Sequence, residues 1–186
     1  LFDRVIKKPV GEKNDYEAER YAGVLKLVKE KSKWGNNRTG VYRGVAAYFC
    51  HDSYVAEVVD IVMDNGLPKV KKVWCAVDCG IVVNRDAAVN MVQGGVIDGI
   101  GHAMYSQLTF NNGEVNETNF DKYKWQNIMN IPELNIHIVE NGSYPSGAGE
   151  PATSIIAPAI LNAVFNASGA RLRSLPLDRN ELLQKI

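Results

Sequence analysis

Residues 155–164 read Ile-Ile-Ala-Pro-Ala-Ile-Leu-Asn-Ala-Val, apolar on nearly every side. A helix of that kind has no face to give to water, so the fold must bury it against other layers. The pattern predicts this helix over residues 158–168, with Pro158 in the first turn and Gly169 as the stop. Just ahead of it, Gly147-Ala148-Gly149-Glu150-Pro151-Ala152-Thr153 delivers one acid between small residues and a proline. Small residues let a bulky ligand come close to the backbone. Pro151 fixes the direction of the chain beyond the acid. Glu150 is therefore placed as a base in a cleft would be, and an ordinary loop carboxylate near a helix start is the alternative.

The layers to cover that helix lie upstream. Residues 1–19 are polar and irregular, a tail; residues 20–186 read as one domain. A helical spacing runs over 19–34 and stops at Gly35. Three strand-like runs follow, 41–50, 54–63 and 70–77, the last two joined by the turn signal Asp64-Asn65-Gly66. An antiparallel meander is the simple topology.

Asn84 then caps a long helix, with Asp86 in its first turn and Val89, Val92, Val96, Ile100 and Ala103 as its apolar stripe. Gly94, Gly95, Gly99 and Gly101 interrupt it. Each costs about 1 kcal/mol relative to alanine in a helix interior. Close approach of another helix or of a ligand would offset that. A short hairpin over 107–115, a loop over 119–131, a strand over 134–139 and a glycine-rich loop over 140–150 complete the order. The whole is α+β, with a mixed, largely antiparallel sheet and packed helices.

Composition narrows the function. Hydrophobic residues make up 46% and charged residues 23%, a globular balance, and the formal net charge is zero. Nothing here points to nucleic acid or an anionic membrane surface. Cys50, Cys75 and Cys79 are an odd set with no metal spacing, and read as buried thiols. His51, His102 and His137 are scattered and read as structural, so no metal ligands are assigned. P-loop, nucleophile-elbow and dinucleotide patterns are missing, and no second acid identifies a glycosidase pair.

Five segments, in order, carry a family resemblance: VDCGIVVN, VQGGVIDGIGHAMY, NFDKYKW, GAGEPAT and IIAPAILNAVFNASGARLRSLPL. Together they resemble the C-terminal part of the molybdopterin-binding large subunit of the xanthine oxidase family. The branch is that of isoquinoline 1-oxidoreductase β subunits and related bacterial aldehyde oxidoreductases. The resemblance implies one lobe or part-lobe of a molybdenum cofactor-binding domain, at the end of a larger subunit. It implies Glu150 as the active-site base, Gln93 as a hydrogen-bonding partner of the pterin, and backbone approach at Ala148 and Gly149. Ala152 departs from the glycine that many relatives carry after the proline. The implied cofactor is molybdenum–molybdopterin, in the plain or the cytosine dinucleotide form. The implied reaction is oxidation of an N-heterocycle or aldehyde with water as oxygen source, Glu150 taking the proton of the attacking oxygen. Electrons would leave through iron–sulfur clusters on a small 2Fe-2S partner subunit, since three cysteines cannot hold one. The N-terminal remainder of the subunit is a further expected partner, and the fragment alone is expected to be inactive and to self-associate. A non-catalytic scaffold or binding module that kept the fold is the rival reading, and an unrelated α+β protein is the third. Compartment, cytoplasmic or periplasmic, is not legible.

Overall fold

The computed structural model describes residues 16–36 and 38–185. The predicted tail lies outside them up to residue 15, and the first helix, α1 (Ala18–Lys31), takes up its last two residues. Three strands follow as a meander: β1 (Tyr42–Cys50), β2 (Ser53–Asp64) and β3 (Leu67–Asp78), both pairings antiparallel. Helix α2 spans Arg85–Met104, and its Asn84 side chain accepts from the Ala87 N–H at 2.9 Å. The hairpin shrinks to β4 (Phe110–Asn111) and β5 (Glu114–Val115). Strand β6 (Glu133–Ile138) returns beside β3 in parallel, so the sheet order is β1-β2-β3-β6 and the sheet is mixed.

The final long helix, α3, runs Pro151–Ser168, starting seven residues before the predicted start. Pro151 holds the first-turn position and Pro158 lies inside the helix. The interior proline is tolerated because the carbonyl it leaves unbonded belongs to Ser154. Both Ser154 and Pro158 lie on the exposed side, where water can satisfy that oxygen. Gly169 ends the helix at φ 72°, as predicted. A short helix, α4 (Arg179–Lys185), replaces the predicted polar end and docks through fully buried Leu182.

Burial as predicted holds for α3. It lies across β1 and β2 and against α2, with Ile155, Ile156, Ile160, Ala163 and Val164 in the main core. The approach to β1 is so close that a Cβ on Gly44 would stand 2.0 Å from the Ala159 carbonyl oxygen. Asn162 Nδ2 donates to the Val45 carbonyl at 3.0 Å and sets the register of helix on strand. The opposite face of the sheet is covered by α1, where Val24 and Val28 pack on Tyr54, Ala56, Val58 and Trp74. Strand β2 is thus covered on both sides, and its buried run includes two acids, Glu57 and Asp60. No helix among the described residues is long and apolar enough to cross a membrane.

Candidate active site

Three segments meet where α3 begins. The first is the end of β3. Asp78 is buried and accepts from Arg20 Nη2 at 2.7 Å and from Asn141 Nδ2 at 2.7 Å. These bonds tie α1 and the 140–150 loop to the sheet. Gly80 turns the chain at φ 73°; a Cβ there would stand 2.1 Å from the Tyr144 carbonyl oxygen. That contact lets the Ile81 N–H reach Ser143 O at 3.0 Å and the Ser146 N–H reach Cys79 O at 3.0 Å. The loop is laid against the sheet by its backbone, and it arrives at Glu150 in a fixed direction.

The second segment is the tip of the β1–β2 hairpin. His51 and Asp52 are its two turn residues, both left-handed, at φ 51° and 57°. The Gly147 N–H donates to the His51 carbonyl at 3.2 Å, and the Ser53 hydroxyl donates to the Gly147 carbonyl at 2.5 Å. The His51 ring Nε2 lies 3.1 Å from Glu150 Oε2. Burial first, and the Glu150 carboxylate second, push the thiol of neighbouring Cys50 up.

The third segment is α2. Its glycines divide by role. A Cβ on Gly99 would stand 2.2 Å from Ile156 Cγ2 and 2.5 Å from the Thr153 carbonyl oxygen, so Gly99 is there for helix–helix contact. At Gly95 a Cβ would meet Thr153 Oγ1 at 2.9 Å and the Gly149 carbonyl at 3.5 Å, which places the acid-bearing loop directly on α2. Gly94 and Gly149 face open space. Gly94 and Gly101 border a groove of about 300 Å³ with Asp98, Trp125 and Gln126; Glu150 does not line it.

The predicted residues therefore fall as follows. Glu150 stands immediately before α3, its side chain 78% exposed and, among the described residues, bonded only through His51. The water-excluding cleft a base needs is not built by this chain alone. Ala148 packs its methyl on the core, while the N–H groups of Ala148 and Gly149 enter no hydrogen bond among the described residues. Gln93 is half-buried, two residues before Gly95, with its side-chain amide unbonded among the described residues. No cluster of three or more His, Cys, Asp or Glu able to hold a metal occurs among the described residues. Cys75 and Cys79 are buried free thiols, as predicted. The residue that sequence reasoning missed is His51. It lies 99 positions from Glu150, and only its neighbour Asp52, a turn former in a gap between two strand runs, marked the tip.

Comparison with known proteins gives this geometry its family. Residues 3–132 match the molybdopterin cofactor-binding domain family. The chain is 31% identical over 190 positions to the isoquinoline 1-oxidoreductase β subunit of Brevundimonas diminuta, covering 95% of this chain and 24% of that one. It is 30% identical to a membrane-bound aldehyde dehydrogenase of Gluconacetobacter polyoxogenes, whose name specifies pyrroloquinoline quinone, over 90% of this chain and 23% of that one. Among solved structures, the aldehyde oxidoreductase of Desulfovibrio desulfuricans superposes with a TM-score of 0.63 at 25% identity, over 72% of this chain and 15% of that one. The chain belongs to the molybdopterin cofactor-binding domain family, within the molybdenum-binding subunits of the xanthine oxidase type. It spans about a quarter of the length of the curated relatives it matches.

Proposed function

We propose that this chain is the C-terminal, cofactor-facing part of a molybdenum hydroxylase large subunit that oxidises an N-heterocycle or an aldehyde, with Glu150 as its base. The observation that carries the reading is the surface where α2 meets the 148–150 loop. There the Ala148 and Gly149 N–H groups are unused among the described residues and Gly149 faces open space, on the loop that rests on Gly95 of α2; Gln93, about 200° round the helix from Gly95, is assigned from the family resemblance alone. That set fits the edge of a flat, polar, multi-oxygen prosthetic group, which needs donors and close backbone.

When bound, the molybdenum–pterin group supplies the redox chemistry, removing two electrons from the substrate carbon as oxygen from water is added. The chain's own residues hold and orient. Gln93 and the Ala148 and Gly149 N–H groups would hold the pterin by hydrogen bonds. Glu150 keeps Oε2 on His51 and accepts a proton at Oε1. Its exposure makes the remaining walls of the cleft the work of the rest of the subunit, so this chain alone is inactive. Electrons leave through iron–sulfur clusters on a small partner subunit, since the three cysteines here form no cluster site.

The test is Glu150→Gln in the full parent with its partner subunit, assayed for N-heterocycle and aldehyde oxidation with a dye acceptor. Turnover should fall by at least about 10³-fold, the upper range for losing a general base, while molybdenum content stays at the wild-type level. Retained turnover removes Glu150 from the mechanism. The quinone in the aldehyde dehydrogenase's name is a rival cofactor, and the fully matured parent decides between them. Molybdenum at one atom per subunit supports the reading, and extractable quinone without molybdenum overturns it. A parent with neither is the scaffold.

A further inference from the structure

The three two-residue hairpins among the described residues can be compared with one another. Two turn on Asn-Gly, Asn65-Gly66 and Asn112-Gly113, with both residues at positive φ. That is the cheapest sequence for a left-handed pair. The third turns on His51-Asp52 in the same left-handed pair of conformations, with no glycine to relieve it. A non-glycine pair held there is over-determined by its surroundings, and such strain collects at functional sites. The surroundings are specific. Gly147 is bonded to the His51 carbonyl, and a Cβ on Gly147 would stand 2.9 Å from His51 Cβ. Ser53 holds Gly147 from the other strand, by its hydroxyl on the Gly147 carbonyl. Backbone and ring together lock the hairpin tip to the loop that delivers the acid, and the ring ends 3.1 Å from Glu150 Oε2.

We infer that His51 is the positioning residue for Glu150, its Nε2–H donating to Oε2 so that an otherwise solvent-exposed carboxylate keeps one rotamer and presents Oε1. The inference rests on the proposed role of Glu150 as base. Glu150 has no other side-chain partner among the described residues, and a freely rotating glutamate would spend most of its time out of line. Misplacing a reacting group by about 1 Å can cost 10²-fold in rate. A hydrogen bond to one carboxylate oxygen fixes the plane of the group and leaves the second oxygen free to take a proton. The charged and titratable groups beside the pair are Cys50 and Asp52 on the hairpin; between residues 143 and 150 the loop adds Tyr144 and Glu150 itself.

Two variants in the full parent enzyme test it. His51→Leu removes the donor, and His51→Gln puts an amide N–H at about the same reach. His51→Leu should lower kcat about 10- to 100-fold with KM unchanged, and His51→Gln should recover most of that loss. A second readout needs no cofactor. In the cofactor-free protein, the imidazole 15N signals of His51 should move in Glu150→Gln while those of His102 and His137 stay in place. Equal loss in the Leu and Gln variants, or no loss in either, overturns the inference and leaves Glu150 as base if Glu150→Gln is inactive. Unmoved His51 signals also overturn it, even where a His51 variant fails to fold. An active Glu150→Gln enzyme overturns the role of Glu150 and with it the purpose of the contact, a failure the His51 variants alone would not produce.

Discussion

Glu57 puts a carboxyl group into the middle of the sheet with 0% of its surface exposed. Strand alternation places it with Val55 and Val59 on the face covered by α3, opposite Ala46 on one side and Cys75 on the other. Neither carboxyl oxygen has a hydrogen bond of normal geometry; the Cys75 thiol, a weak donor, is the polar group that acts on it. Burial therefore holds the Glu57 carboxyl well above the ordinary glutamate value, and the Cys75 thiol well above its own. The folded chain keeps this proton to higher pH than the unfolded chain does. Stability that is full below the ordinary glutamate pKa is then lost as pH rises above it, at up to about 1.4 kcal/mol per pH unit, until the folded group ionises. His137, which burial lowers, contributes the opposite slope near its ordinary value, so the effect is read as a difference between variants. Urea unfolding of wild type and Glu57→Gln between pH 5 and 8 should show the wild type losing stability relative to the variant as pH rises. Parallel pH profiles would place an ionised carboxylate in the core and contradict this account.

At the scale of the element, α2 and α3 show how one kind of residue serves two ends. Gly99 lets the Thr153–Ile156 turn of α3 rest on the α2 backbone, whereas a Cβ on Gly94 would meet nothing within 4 Å. Alanine at either site gains about 1 kcal/mol of helix propensity. At Gly99 that gain is outweighed, since the new methyl would stand 2.5 Å from a backbone carbonyl, and overpacking costs about 1–3 kcal/mol. Thermal unfolding should therefore show Gly99→Ala below wild type and Gly94→Ala at or above it. A rise in both would mean the helices are free to separate. This division also marks how much the sequence could tell. The glycines of α2 demanded a close neighbour, and the choice between helix and ligand stayed open because spacing along one helix says nothing about what faces it. The meander was legible from its β-branched runs and from Asn65-Gly66. The start of α3 was misplaced because two prolines, Pro151 and Pro158, both suit a first turn, and only the exposure of Ser154 explains how the second sits inside. Helix α4 was missed because seven residues carry too little periodicity, and Leu182 is its one buried anchor. Glu150 was found from its small neighbours, whereas His51 became visible only when the hairpin tip met the loop.

At the scale of the whole molecule, much apolar surface is left uncovered, most of it in the connection between α2 and β6. Phe110, Phe120, Ile128 and Met129 are each well over half exposed, and Phe120 stacks edge-on against half-exposed Trp125 at 5.3 Å. Soluble monomers rarely expose so many large apolar side chains in neighbouring loops, and such groupings mark contact surfaces. Under the proposed function, the rest of the large subunit covers these loops; in the chain by itself, a second copy is the available cover. Sedimentation velocity over a range of protein concentrations should then show weight-average mass rising with concentration. The double variant Ile128→Ser, Met129→Ser should shift that rise to higher concentration, because both side chains are largely solvated in the single chain. Adding the remainder of the parent subunit as a separate polypeptide should dissolve the self-association in favour of a heterodimer. A monomer that binds no apolar dye at any concentration would mean that these loops close over their own aromatic side chains in solution, and the surface would lose its claim to be an interface.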